Sequence, residues 1–399
     1  MEYFIIICLL VIQAYYFDFL GKSNNKKLFY NATLIVLILF MGLRYRIGLD
    51  TIRYLRYFYV DDPTFDQITF DSFIESTYDP FYLLFVSFVK TVFGHFYFVQ
   101  IFQSAIVNIL LFRYFSKHTK YVFSCVLFYF LWRYLAFTTE EMRAAIAIVI
   151  CLYAFDYALE KKRIKSIILI LIAAQFHLSA YFLLFIPFLT NIHINRITLL
   201  LLIVFFYIGY IIQDRFSDLM QLIEMMSNSD THATRYAGNT YSKQMLNING
   251  ILSVIIVYII YAYWSLSFLK KKYNIKLAEL EPFIFWGMFF AVISIPVSIF
   301  YRYTRFFETY FVILYANMLI TWSRNIRVKL RNTGYVISMC YFFPFFFLIL
   351  SDYFGKVNNT IKTYSRYYPY YSVFSKEIDS KRETLINYYP NTETPTNDY

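Results

Sequence analysis

Apolar residues in this chain run in long continuous blocks separated by short polar connections, and neither strand-like alternation nor the narrow stripe of a soluble amphipathic helix organises them. Blocks of that length predict membrane helices. Candidate spans cover 3–20, 28–43, 80–93, 97–115, 121–137, 142–159, 166–189, 197–213, 250–269, 283–301, 306–322 and 333–351. Open sheet edges would leave backbone groups unpaired in hydrocarbon, and the blocks are too continuous for barrel strands. The expected fold class is all-α: a polytopic integral membrane bundle of about 11–13 transmembrane or re-entrant helices. It forms one transmembrane domain over 1–351, with external loops at 44–79 and 214–249. A polar tail, 352–399, follows and is expected to be mobile.

Composition narrows the class further. Of 399 residues, 59% are hydrophobic and 23% aromatic, which leaves no stretch for a separate soluble domain. The net charge of +11 would suit nucleic acid, but the cations gather beside apolar spans, as in Lys161-Lys162-Arg163, Lys270-Lys271-Lys272 and Arg324 to Arg331. That is the positive-inside pattern, so membrane lipid is the expected environment and nucleic acid is not a partner. With the basic connections in the cytoplasm, the N-terminus, 44–79, 214–249, 302–305 and the tail lie outside. Two blocks break simple alternation. The 166–189 stretch satisfies parity if a hinge at Gln175-Phe176-His177 splits it into two short helices. The 80–115 stretch must cross an odd number of times, yet reads as two short helices around Gly94-His95.

Cys8, Cys125, Cys151 and Cys340 sit in apolar segments without CxxC or metal-like spacing and read as small core residues. No metal and no cofactor is expected. The first apolar block lacks a basic n-region and a small-residue cleavage site, so it reads as a retained helix. Gly-rich phosphate loops, HExxH helices and nucleophile elbows are missing, as is the internal repeat of many transporters.

Polar residues that interrupt the apolar pattern mark four candidate regions. Arg44-Tyr45-Arg46-Ile47-Gly48-Leu49-Asp50-Thr51-Ile52-Arg53-Tyr54-Leu55-Arg56-Tyr57 offers cations for phosphate, an acid or base, and flat faces for sugar rings. Its plain alternative is an interfacial anchor. Gly48 should break the helix, and Asp50, Arg53, Tyr54 and Tyr57 share one face of a helix restarting there. In Thr138-Thr139-Glu140-Glu141-Met142-Arg143, Thr138 and Glu141 have capping-box spacing, whereas Arg143 opposes the helix dipole. Pairing of Arg143 with Glu140 is its structural reading. Gln175-Phe176-His177-Leu178-Ser179 places His177 inside an apolar stretch, either as a packed histidine or as a functional one at a helix break. Arg302 and Arg305 lie one turn apart with Glu308 another turn on, forming a salt-bridge ladder or half of an anion clamp.

The order of these features resembles the EpsG-like branch of the Wzy polysaccharide polymerases. That family shows an Arg-Tyr-Gly-x-Gly-x-Asp stretch after an early helix, an Asn-x-x-Arg-Gln-x-x-Ala-like helix start, an Ala-x-x-Phe-His-x-Ser-Ala segment, and late Arg and Tyr residues. Here Arg44-Tyr45 and Gly48-x-Asp50 match the first, with Arg46 in place of a glycine and Thr51 in place of the usual aromatic. Arg143 and Ala147 match the second, with Ala144 where glutamine is common. Ala173-Ala174-Gln175-Phe176-His177-Leu178-Ser179-Ala180 matches the third closely.

The resemblance implies a GT-C-like bundle in the bacterial inner membrane. Such a protein joins oligosaccharide repeat units carried on undecaprenyl diphosphate at the outer face, for O-antigen lipopolysaccharide, capsule or exopolysaccharide. It implies Asp50 or His177 as the catalytic base. Arg44, Arg46, Tyr54, Arg143, Arg302 and Arg305 become the substrate-binding residues. Partners are the lipid-linked glycans and a chain-length regulator. Alternatives are a flippase or transporter of the same lipids, an O-antigen ligase, or another GT-C glycosyltransferase.

Overall fold

In a computed structural model of the protein, residues 1–226, 248–272, 279–325, 331–355 and 362–388 are described, and they contain no β-strand. Among the described residues, six helices are long and apolar enough to cross a membrane: Glu2–Phe19, Phe96–His118, Val122–Thr139, Met142–Leu159, Arg196–Gln213 and Gly250–Lys271. Thr333–Tyr341 and Phe343–Ser351, bent by 43°, add a seventh if they form one span. The protein is an all-α, multi-pass membrane protein. Several other apolar blocks are shorter or interrupted, as the expected mixture of transmembrane and re-entrant helices allows. Pro80–Phe93, Leu178–Phe188 and Glu281–Ile293 fall below the roughly 20 residues a crossing requires. The chain groups into two compact units, 1–185 with 349–399, and 186–348.

In the first unit, α1 (Glu2–Gln13) continues through a widened π-turn, Ala14–Phe19. That turn buries Asp18, whose carboxylate accepts from the Ser124 amide (2.7 Å) and hydroxyl (3.0 Å) and from Lys26 (3.2 Å). Helix α2 (Lys26–Gly42) ends at the turn 43–48, and α3 (Leu49–Val60) and the short α4 (Phe70–Glu75) follow. Proline opens α5 (Pro80–Phe93), and Gly94, at φ +69°, closes it. The expected break at Gly94-His95 is therefore present. Of the two helices it separates, α6 (Phe96–His118) has the length to span.

Helices α2 and α6 are antiparallel. The Tyr30 hydroxyl reaches Phe112 O at 2.8 Å, and a Cβ on Gly42 would lie 3.0 Å from Ile101. Next come α7 (Val122–Tyr129), a π-turn, α8 (Leu135–Thr139), α9 (Met142–Leu159) and α10 (Arg163–Ala174). The polar run Gln175–His177 stops α10 as expected, and the chain continues as a 3-10 segment, Leu178–Leu183.

The two ends of this unit differ in chemistry. At one, Asp156 gathers Tyr114 (3.1 Å), Lys117 (2.7 Å) and His118 (3.0 Å). At the other, Tyr3, Phe40 and the turn 43–48 meet the C-terminal segment, which is structured over 362–388 with a 3-10 turn at Thr363–Arg366 and a helix at Ser380–Tyr388. Where the sequence pattern suggested a mobile tail, these residues pack on the N-terminal helices. The start of α1, the turn 43–48 and the tail residues 362–383 therefore lie together at one end of this unit.

In the second unit, Arg196–Met226 is one helix, so 214–226, expected in an external loop, is helical. The rest of that loop, 227–247, lies outside the described residues. Cys125 and Cys151 are buried as expected, whereas Cys8 is half-buried and Cys340 is exposed.

Candidate active site

The turn after α2 takes its shape from two residues with positive φ, Arg46 at 50° and Gly48 at 89°. A Cβ on Gly48 would stand 2.5 Å from the Thr139 Cβ, so only glycine lets the turn lie against the end of α8. Helix α3 restarts at Leu49, and its unpaired amides need acceptors. Glu140 supplies them, taking the Leu49 N–H (3.2 Å) and that of Asp50. Glu140 thus caps α3 and is not the partner of Arg143. The expected capping box at Thr138 and Glu141 is absent as well. The Thr138 hydroxyl bonds back to Tyr134 O (2.7 Å), Glu141 lies 3.9 Å from the buried Arg133, and α9 starts without a side-chain cap.

Arg143, in the first turn of α9, gathers several segments around itself. Its Nε donates to the Tyr54 hydroxyl (3.0 Å) and its Nη1 to Thr77 O (2.8 Å), with the Asp79 carboxylate at 3.5 Å. The guanidinium also lies over the rings of Tyr54 and Tyr78, at 5.6 and 5.5 Å. Among the described residues, its Nη2 makes no hydrogen bond. Asp79 in turn accepts from the Leu178 N–H, which ties the break after α10 to the same spot. Burial pushes the Asp79 carboxyl up, while Arg143 and that amide hold it down.

Asp50 sits in the first turn of α3, with its side chain about one-third exposed and Arg53 at 3.8 Å, beyond hydrogen-bond length. Burial raises its carboxyl from the ordinary range, against the pull of Arg53 and Arg143. His177 precedes the 3-10 segment, and its Nδ1 accepts from the Ser179 N–H (3.3 Å), with the Ser179 hydroxyl at 2.7 Å. An amide can only donate, so Nδ1 carries the lone pair and the proton of the neutral ring is on Nε2. His177 is thereby a helix cap.

The sequence profile of the EpsG family matches residues 27–372. The chain belongs to the EpsG family. Comparison with curated proteins and with solved structures gave no match. Asp50, Tyr54, Asp79, Arg143 and His177 all fall inside the matched stretch, and the family places the chain among polysaccharide polymerase-like membrane proteins.

Of the other arginines expected in the site of this EpsG-family protein, Arg44 and Arg46 lie in the first unit and Arg302 and Arg305 in the second. Arg44 is fully buried; its Nη atoms donate to Met41 O (2.5 Å), the Thr51 hydroxyl (2.9 Å) and the Met142 sulfur (3.4 Å), and its buried Nε makes no hydrogen bond among the described residues. It braces α2, α3 and α9 and presents no donor to a ligand. Arg46 holds Glu383 through a bidentate pair at 2.9 and 2.8 Å. Arg302 and Arg305 belong to the second unit, where Arg305 lies over the Tyr301 ring at 5.4 Å and Glu308 accepts from the Tyr258 hydroxyl. Asp79 and Tyr78 were missed by sequence reasoning. Their signal was Tyr78-Asp79-Pro80, which reads simply as a helix start.

Proposed function

We propose that this EpsG-family protein is a Wzy-type polymerase. It joins oligosaccharide repeat units carried on undecaprenyl diphosphate at the outer face of the bacterial inner membrane. The observation that carries the reading is the Arg143 cluster: a guanidinium held against two tyrosine rings, with Nη2 unspent and Asp50 on the neighbouring helix, in a chain matched to the family over residues 27–372. A cation and a carboxylate are what a sugar on a diphosphate needs.

In the reaction, the bond between the sugar C1 of the growing chain and its diphosphate breaks, and a bond from C1 to an acceptor hydroxyl of the next unit forms. The hydroxyl proton passes to Asp50, and the diphosphate leaves on its lipid with Arg143 offsetting the developing charge. Asp50 is preferred to His177 as base because the His177 lone pair is committed to Ser179. Tyr54 and Tyr78, both buried, hold the Arg143 guanidinium in place.

Purified protein given a lipid-diphosphate-linked repeat unit should produce a ladder spaced by whole repeats. Transfer of that lipid across a vesicle membrane without lengthening would favour a flippase instead. Addition of one unit to a different acceptor lipid would favour a ligase.

A further inference from the structure

The tail residues take no part in the chemistry proposed above, yet they hold the turn on which it depends. Val373 N–H donates to Leu43 O (2.9 Å), Tyr45 N–H to Tyr371 O (2.9 Å) and Gly48 N–H to Arg366 O (3.0 Å), and Arg44 and Ser372 form an antiparallel bridge. Arg382, only 1% exposed, donates to Arg46 O (3.0 Å), Pro369 O (2.5 Å) and Ser365 O (3.2 Å). Glu383 takes both the Nε and the Nη2 of Arg46. Tyr370 stacks on Phe40 at 4.4 Å.

Two costs converge here. A non-glycine residue in the left-handed region is sterically strained, and Arg46 is in it. A buried guanidinium such as Arg382 is retained only where its hydrogen bonds offset desolvation. Arg46 lies among the six residues that set where α3 begins, and therefore where Asp50 stands, and Arg382 ties that turn to the tail through Arg46 O. Arg366 is moreover among the cations acting on Asp50 and Glu140. The family match ends at 372, before Arg382 and Glu383.

We propose that the C-terminal segment 363–383 is a positioning element of the candidate site. Arg46 and Glu383 form a clasp that fixes the Gly48 turn and, through it, Asp50 at the head of α3. Arg46 is then a positioning residue rather than a phosphate ligand. The consequence for turnover rests on the polymerase reading; the clasp itself does not.

Charge exchange in the full-length purified protein tests this. Arg46→Glu and Glu383→Arg alone should each lower kcat by about tenfold or more, with KM for the lipid-linked substrate within about twofold, because Arg143 is untouched. The double exchange should recover most of the rate. Glu383→Gln, which keeps the side-chain volume, should act in the same direction with smaller amplitude. Parental turnover in Glu383→Arg, or a double variant no better than Arg46→Glu alone, would overturn the proposal, the latter because Arg46 would then meet substrate directly.

A second readout needs no catalysis. In a background with the four native cysteines replaced, Asp50→Cys should react with a thiol reagent about fivefold faster when Glu383→Arg is added, and return to its slower rate with the exchanged pair. An unchanged rate sinks the clasp. A clasp-dependent rate in a protein that forms no polymer under any condition would sink only the polymerase reading.

Discussion

Arg143 and Arg44 are the same residue type near the same helix ends, and the fold gives them opposite tasks. Arg44 is wholly enclosed, with its Nη atoms on carbonyl, hydroxyl and sulfur acceptors, whereas Arg143 is partly exposed and keeps Nη2 unspent beside two tyrosine rings. Sequence marked both, because a cation beside apolar helices is costly and seldom idle. It had no means of telling a brace from a ligand. Asp79 escaped because Asp-Pro is an ordinary way to open a helix.

Three predictions belong at the residue scale. Asp50 must be deprotonated to act as a base, and Arg53 lowers its pKa, so Arg53→Gln should move the acid limb of the pH–rate profile to higher pH. A limb that stays put would mean that another group titrates. His177→Asn keeps an acceptor for the Ser179 amide and should retain most turnover, while His177→Ala should not; loss of turnover with intact substrate binding in His177→Asn would restore the histidine as base. Gly48→Ala should cost about 2–4 kcal/mol in thermal unfolding, from a φ of 89° and the clash with Thr139.

Among elements, the breaks were easier to read than the partnerships. Gly94 and the polar run at 175–177 interrupt apolar blocks visibly, and the chain breaks at both. The clasp between 43–48 and 363–383 was not legible, because no local pattern records a contact between residues more than 300 apart, such as Arg46 and Glu383. Glu140 was misread for a related reason: helical spacing offered it Arg143, and tertiary packing gave it the amides of α3. The shared side of the first loop and the tail is open to test at exposed positions. Asp66→Cys and Lys376→Cys should both be labelled by a membrane-impermeant thiol reagent from the same side of sealed vesicles. Labelling from opposite sides would refute the arrangement.

At the scale of the molecule, hydrophobic patterning established an all-α, multi-pass membrane protein. A run of apolar residues does not reveal whether a helix spans or stops short. The division into two units was also invisible, since both are built from the same kind of block. Family membership rests on the match over 27–372, and the proposed chemistry rests on Arg143 within the first unit. The most direct measurement compares repeat-unit donors linked through diphosphate and through monophosphate, using purified parental protein and Arg143→Lys. Lysine keeps the charge but loses the planar fork, so the variant should extend the diphosphate donor about 10- to 100-fold more slowly and discriminate less between the two donors. Equal rates on the diphosphate donor for folded parental and Arg143→Lys proteins would contradict the assignment of Arg143 to the leaving group.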